Sequence, residues 1–396
     1  MHFLFSVDTY DNKPSANGVC TKHISRELIK MGHTVSIICQ KKDLNETNYE
    51  IVNGVSIYRI FYGLESRAEQ SKKSGFVLKL LQKIRFIKNL PFFPITNLSY
   101  ARSIYKTAIN IHKTNPVDVF VSVTQLVDHI HSGILFKKKN PSTKIFIYSL
   151  DALSSGYVSN LKKYKRYFQS KMKKYEISAL KQCDFFFAME SHKSYIANND
   201  FYKPFTDKII YTDIPLYIPR DQSLVKEKKE PKKIVYTGNM TYLDSKFIKR
   251  LASSLNNFDF LFVGNHAYTF AKELEKCNNI KVMGPVSHDK ILSTQNSAAY
   301  LLAFDTASSS MIPGKIFEYF SAKKPVIFCS MNQQCSYINY LDKYENYIFI
   351  RTDYDEEKIV EVFSSFIQSN GNDADEAFAK NTPYFTATLF EKYSIF

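Results

Sequence analysis

The chain reads as an α/β protein of two successive domains, each a parallel sheet with helices on both faces. Three observations carry that reading. Short apolar runs alternate with helical patterns along nearly the whole chain, which is the rhythm of β-α-β units. The alternation breaks once, over residues 214–233, where Pro215, Pro219, Pro231 and the run KEKKEPKK leave little apolar content and mark a linker. Of the five glycines beyond residue 201, Gly238, Gly264, Gly284 and Gly314 sit at or just past the ends of predicted strands. In a parallel sheet those ends share one edge, where ligands bind. Glycine there lets a ligand approach the backbone; each also reads as a plain turn residue.

The first domain opens with a predicted strand at His2–Val7 and a loop, Asp8–Gly18, carrying Pro14. Val19–Met31 sets Ile24, Leu28 and Ile29 at helical spacing, and Gly32 follows as a stop signal. Thr34–Cys39, Val55–Ile60, Asp118–Val123, Lys144–Leu150 and Asp184–Met189 are the further predicted strands. In the second domain Lys233–Gly238, Phe258–Gly264 and Ile280–Gly284 are strands closed by glycine. Ala299–Phe304 follows, then the small polar loop Asp305–Ser310, and Val326–Phe328 begins the next strand.

Between those last two strands lies PGKIFEYFSAKKPV, Pro313–Val326. Pro313 suits a first helical turn, Ile316, Phe317 and Phe320 form an apolar stripe, and Pro325 ends the helix. A polar loop entering a helix offers N–H groups and a positive dipole end, which suit a phosphate. Lys315 adds a cation, and Glu318 one turn on is placed to accept hydrogen bonds from sugar hydroxyls. The same two residues read equally as a surface i,i+3 ion pair on a core helix.

Charge divides the chain. Residues 1–200 hold 30 Lys and Arg against 15 Asp and Glu, net +15, while residues 201–396 hold 23 of each. The asymmetry points the first half at something anionic, a membrane surface, a phosphorylated substrate or nucleic acid, against the plainer alternative of a lysine-rich composition that only keeps the protein soluble. Within it, KKSGFVLKLLQKIRFIK (Lys72–Lys88) mixes Lys79, Lys83, Arg85 and Lys88 with Phe76, Leu80, Leu81, Ile84 and Phe86. That pattern suits a helix lying in a membrane interface, or one whose apolar stripe faces a core with the cations in water. A second basic stretch, Lys162–Lys174, reads as a solvated face preceding a helix over Tyr175–Leu180. No run of about 18 apolar residues predicts a spanning helix. The N-terminus, MHFLFSVDTYDNK, looks like a first strand and not a signal peptide. The six cysteines lack CxxC spacing, which argues against zinc or a disulfide framework and fits a reducing cytoplasm.

Several segments resemble one family. Ser15-Ala-Asn-Gly18 with Met31-Gly-His-Thr-Val35, then Tyr175-Glu176…Ala179-Leu180…Cys183-Asp184, Met283-Gly-Pro-Val-Ser-His-Asp-Lys-Ile-Leu292, and Pro313-x-Lys-x-x-Glu-Tyr-x-x-x-Lys-Lys-Pro-Val326 together span most of the chain. They resemble the GT-B glycosyltransferases, in particular family 4-like enzymes of bacterial capsule, lipopolysaccharide or teichoic acid assembly. The last segment is the most specific. The resemblance implies two Rossmann-like domains with the active-site cleft between them. It implies an acceptor-binding domain over 1–213, a linker over 214–233, a nucleotide-sugar domain over 234–370, and a C-terminal helix within 371–396 that packs back toward the first domain.

The resemblance also implies the chemistry: transfer of a sugar from a nucleotide-diphosphate sugar to a saccharide acceptor, with retention, without metal or other cofactor. A lipid-diphosphate-linked acceptor, met at the inner face of the cell membrane, fits both the charge and the amphipathic stretch. Donor binding falls to Gly238, Asn239, Lys246, Gly284, Val286, Ser310, Pro313, Gly314, Lys315 and Glu318, and acceptor binding to Asn17 and Gly18. Ser310 stands where many members have a first glutamate, and Asn239 where they have arginine, with Lys246 as its companion lysine. Asp151 is the nearest polar candidate for a catalytic role where many members have histidine. Lys79, Lys83, Arg85 and Lys88 are assigned to the membrane surface.

Two further readings compete. A sugar-nucleotide epimerase on the same fold would want carboxylates and histidine near the cleft for proton transfer. His23, His129, His131, His192, His266 and His288 are scattered and do not decide it; an assay with sugar nucleotide and no acceptor would. A nucleic-acid-binding protein would explain the charge, but the sequence holds no recognition motif and no aromatic stacking pattern among the lysines.

Overall fold

The computed structural model describes residues 1–10, 15–63, 75–124, 126–150, 153, 165–220, 230–305, 314–331, 338–366 and 374–395. These fall into two compact units, residues 1–215 with 380–396, and residues 216–379.

The first unit contains strands β1 (His2–Ser6), β2 (Thr34–Gln40), β3 (Tyr49–Val52), β4 (Val55–Ile60), β5 (Val119–Val123), β6 (Lys144–Ser149), β7 (Phe185–Met189) and β8 (Ile209–Thr212). They form one sheet in the order β3-β4-β2-β1-β5-β6-β7-β8. All pairings are parallel except the edge pair β3–β4. Helices α1 (Ala16–Lys30), α2 (Gly75–Asn89), α3 (Leu98–Thr114), α4 (Val127–Lys139), α5 (Lys165–Gln182) and α6 (Lys193–Ala197) accompany them. Strand residues alternate between two cores: Leu4, Phe120, Ile145 and Ile147 join α3 and α4 on one face, while Phe3, Phe5, Val121 and Phe146 pack on the other. Ser15 caps α1 by accepting from the Gly18 N–H at 3.0 Å, and Gly32, at φ +85°, ends it as expected. Strands β3 and β8 are additions to the sequence reading. Helix α5 starts at Lys165, so most of the second basic stretch is helical and not a prelude to a helix.

The second unit contains β9 (Lys233–Thr237), β10 (Asp259–Val263), β11 (Ile280–Met283), β12 (Tyr300–Phe304), β13 (Val326–Ser330) and β14 (Tyr347–Arg351). Its wholly parallel sheet runs β11-β10-β9-β12-β13-β14. Helices α7 (Ser245–Ser254), α8 (Tyr268–Leu274), α9 (His288–Ser297), α10 (Lys315–Ser321), α11 (Ile338–Tyr344), α12 (Glu356–Ser364) and α13 (Ala374–Ala377) complete it. Phe260, Phe262, Ile327 and Ile350 form a core with Phe247, Ile248 and Leu251 of α7 and Ile359 of α12. The expected linker needs correction. The division falls at Pro215/Leu216, and residues 216–220 belong to the second unit. Tyr217 is fully buried there and its hydroxyl donates to Asp375 at 2.6 Å, so these residues are packed and not a spacer.

The last helix, α14 (Pro383–Ile395), belongs to the first unit. Phe390 sits among Phe5, Phe146, Tyr148 and Phe187, with ring centroids 4.7–6.0 Å away. Each sheet thus has the open, doubly wound plan of a Rossmann-like domain.

Candidate functional site

In the second sheet the strand order reverses between β9 and β12, the point where open parallel sheets bind ligands beyond their carboxyl ends. The β9–β12 ladder covers only Tyr300↔Ile234 and Leu301↔Val235, so the strands part before those ends. Where the ladder stops, the buried Tyr319 hydroxyl from α10 accepts from the Thr237 N–H at 3.0 Å. The opening is a cavity of about 210 Å³, lined among others by Thr237, Gly238, Asn239, Phe304, Lys315 and Tyr319.

Lys315 brings positive charge to this cavity, and among the described residues it pairs with no carboxylate. The i,i+3 ion pair with Glu318 that the sequence left open is therefore not formed. Helix α10 has only 7 residues, fewer than the segment Pro313–Pro325 suggested. Its dipole is correspondingly small, so the attraction for an anion rests on the lysine.

Glu318 is half-buried and held from behind. Its Oε2 accepts from Gln295 Nε2 at 3.2 Å, and the same nitrogen donates to Thr237 Oγ1 at 3.0 Å. Gln295 Oε1 accepts from Arg220 Nη2 at 2.7 Å. Arg220 also donates to the Glu318 carbonyl at 2.9 Å and, through Nη1, to Asn296 Oδ1 at 2.8 Å. Burial works against the Arg220 charge, and the Glu318 charge acts the other way. Gly314 touches the same segment: a Cβ there would lie 2.3 Å from Leu216 Cδ1.

Of the donor residues read from sequence, Gly238, Asn239 and Lys315 line one cavity, and Gly314 and Glu318 adjoin it on α10. Lys246 is exposed in the first turn of α7 and does not line it. Val286 lines a separate hollow of about 680 Å³ that runs along the β10–β11 face to Lys233 and Asp259 at the strand starts. The smaller cavity is the candidate site, because it lies at the switch point where β9 and β12 part. Gly284 is exposed, with nothing within 4 Å of where its Cβ would be. Ser310, Pro313 and Asp151 lie outside the described residues.

The strand-end glycines need a second correction. Gly264, at φ +145°, leaves room for chain and not for ligand: a Cβ there would lie 1.9 Å from the Gly238 carbonyl oxygen. In the first unit, Asn17 and Gly18 turn inward. Asn17 Nδ2 donates to the Thr124 carbonyl at 3.3 Å, and Gly18 donates to the Ser15 cap. The same switch region, between β1 and β5, holds the nearly buried Asp8, which accepts from Ser15 Oγ at 2.8 Å. Burial raises its pKa. Close by in sequence to the α4 start, fully buried His129 bonds Ser6 Oγ at 2.6 Å, and burial lowers its pKa to about 3, so it is neutral. Sequence reasoning missed Arg220, Gln295, Thr237, Tyr319 and Asp8. None of them carries a local signal in the sequence. Among the described residues, no three His, Cys, Asp or Glu side chains cluster to hold a metal.

Helix α2 is the other candidate surface. Leu80, Ile84, Phe86 and Ile87 are 40–67% exposed, with Lys79, Lys83 and Lys88 exposed beside them. The core-facing alternative for these residues is not what the structure shows. Arg85 departs from the assignment: it is half-buried, its guanidinium 4.7 Å from the Tyr62 ring centroid. Among the described residues no helix is long and apolar enough to cross a membrane.

No sequence-family model matches the chain, and no curated protein matches it by sequence. Solved structures match it along its length. A glycosyltransferase from Rickettsia africae ESF-5 aligns at TM-score 0.59 and 16% identity, covering 100% of this chain and 97% of that one. WaaG, a glycosyltransferase involved in lipopolysaccharide biosynthesis, aligns at 0.51 and 13%, covering 99% and 95%. A putative UDP-N-acetylglucosamine 2-epimerase from Listeria monocytogenes aligns at 0.54 and 9%, covering 98% and 94%. The chain has the GT-B fold, two Rossmann-like domains, which these proteins share.

Proposed function

We propose that the protein is a glycosyltransferase that moves a sugar from a nucleotide-diphosphate sugar to a saccharide acceptor. The observation that carries this is Lys315, without a carboxylate partner among the described residues, in a cavity at the switch point of the second sheet, with Glu318 held one turn away. Departure of a nucleoside diphosphate needs its charge stabilised where it develops. Lys315 supplies that beside the Gly238–Asn239 backbone. Glu318, fixed by Gln295, receives ribose or sugar hydroxyls. The reaction proceeds without metal and with retention, as the family resemblance implies. The acceptor is a lipid-diphosphate-linked saccharide of capsule, lipopolysaccharide or cell-wall synthesis. The protein meets it at the inner face of the cell membrane, where α2 lays its exposed apolar residues and lysines on anionic lipid.

The Listeria neighbour gives the epimerase reading a specific observation. Against it, the described lining of the cavity holds no histidine or carboxylate, and the one carboxylate the site uses, Glu318 beside it, stands without the partner group that a proton shuttle needs. A thermal-shift screen of UDP, GDP, CDP and dTDP tests the shared donor site, since a ligand of the folded state raises the melting point by mass action. A shift with at least one diphosphate is expected; no shift with any at millimolar concentration refutes the donor site. Sugar-nucleotide turnover to an epimer without acceptor would select the second reading.

A further inference from the structure

The donor site includes a relay that starts outside the nucleotide-binding elements, in the first residues of the second unit. We propose that Arg220 is a positioning residue for this site: through the Gln295 amide it fixes the Glu318 carboxylate in the orientation that receives a donor hydroxyl. The inference rests on the donor-site reading above.

The geometry carries it in three steps. A guanidinium can only donate, so its contact with Gln295 at 2.7 Å settles which end of that amide is the oxygen. With Oε1 turned to Arg220, Nε2 must face the other way, where it meets both Thr237 Oγ1 at 3.0 Å and Glu318 Oε2 at 3.2 Å. Gln295 is fully buried, so water cannot replace Arg220 as the donor to that oxygen. Without the guanidinium, the buried amide oxygen has lost its donor, and the amide that holds Glu318 is no longer anchored at its other end.

The second contact of Arg220, to the Glu318 carbonyl at 2.9 Å, ties the α10 backbone to the same point. The third, to Asn296 Oδ1 at 2.8 Å, ties α9. One planar fork thus spans two helices, a geometry a lysine ammonium does not reproduce. Glu318 Oε1 accepts no hydrogen bond from the described residues, so one carboxylate oxygen is anchored and the other is left to accept from a donor hydroxyl.

A double-mutant cycle on the full chain tests this. The variants are Arg220→Met, Glu318→Gln and the pair, with Gln295→Met as a second probe of the relay should Arg220→Met fail to fold. Hydrolysis of UDP-glucose, UDP-N-acetylglucosamine and GDP-mannose is followed, and the kinetics are taken on the one that the wild type turns over fastest. Arg220→Met is expected to raise the donor KM about tenfold with kcat little changed, and to lower the melting temperature by a few degrees because the buried Gln295 oxygen loses its donor. In the Glu318→Gln background it should add nothing, because the group it positions is already gone. Losses that multiply in the pair, or a wild-type KM in Arg220→Met, overturn the relay while leaving the donor site standing. Turnover of none of the three donors by the wild type, together with no thermal shift by UDP, GDP, CDP or dTDP, removes the donor-site reading, and the relay falls with it.

Discussion

Replacing Lys315 by alanine isolates the phosphate contact from the rest of the site. Lys315 is half-buried at the mouth of the 210 Å³ cavity and pairs with no carboxylate among the described residues. Its removal therefore strands no buried partner, and the fold should be untouched. Two unit charges 4 Å apart interact by about 4 kcal/mol at an effective dielectric near 20. The net value of a charge-assisted hydrogen bond is smaller, about 1.5–3 kcal/mol, since both groups leave water. Partial exposure of the lysine favours the lower half, so about 2 kcal/mol is expected, or roughly 30-fold in affinity. Calorimetric titration with a nucleoside diphosphate and with the matching nucleoside separates the terms. The diphosphate should lose the roughly 30-fold and the nucleoside less than about twofold. Equal losses would show that Lys315 supports the cavity wall, and that the anion contact lies elsewhere.

Two more outcomes follow from the surface and the core. Lys79, Lys83 and Lys88 replaced by glutamate should abolish low-salt sedimentation with anionic vesicles, about 1 kcal/mol being lost per cation removed; a variant that still sediments would remove α2 from the membrane. Burial holds His129 at about 3 and His192 at about 4, both below 6.5, so the unfolded chain takes these protons first. Stability is then full above pH 6.5 and falls as pH drops toward the folded values, by at most about 1.4 kcal/mol per pH unit for each histidine, while the raised carboxyls of Asp8 and Asp128 oppose the trend at the acid end. Urea midpoints at pH 7.5 and 5.5 measure it, and His129→Asn should flatten the difference; an unchanged difference refutes the assignment.

What could be read from the sequence follows the range of the interactions involved. The central strands were legible because a strand buried on both faces is a continuous apolar run, as Phe3–Phe5 and Val119–Val123 show. The edge strand β3 was not: Tyr49 and Ile51 are exposed, and its sequence reads like the loop around it. The glycines were legible as strand ends but not as to what approaches them. At Gly264 the neighbour is the Gly238 carbonyl, a tertiary fact with no local signature. Exposure was equally hidden. The spacing in Lys72–Lys88 described a helix with an apolar stripe, and only the packing of the sheet could say that Ile84 and Ile87 would find no core.

The site divides along the same line. Lys315 and Glu318 could be found because they stand three apart on one helix, where a motif is a geometry. Arg220, Gln295 and Thr237 meet from three segments that share no spacing, and each alone is an ordinary residue type in an ordinary place. Their conjunction exists only because β9 and β12 part early and α9 and α10 close over the gap. The consequence is mechanistic. The motif residue that would touch the donor is legible, while the residues that decide which way its carboxylate points are fixed by topology. A chain that kept the PxKxxE pattern but lost Arg220 would look equally competent in sequence and should bind its donor about tenfold more weakly.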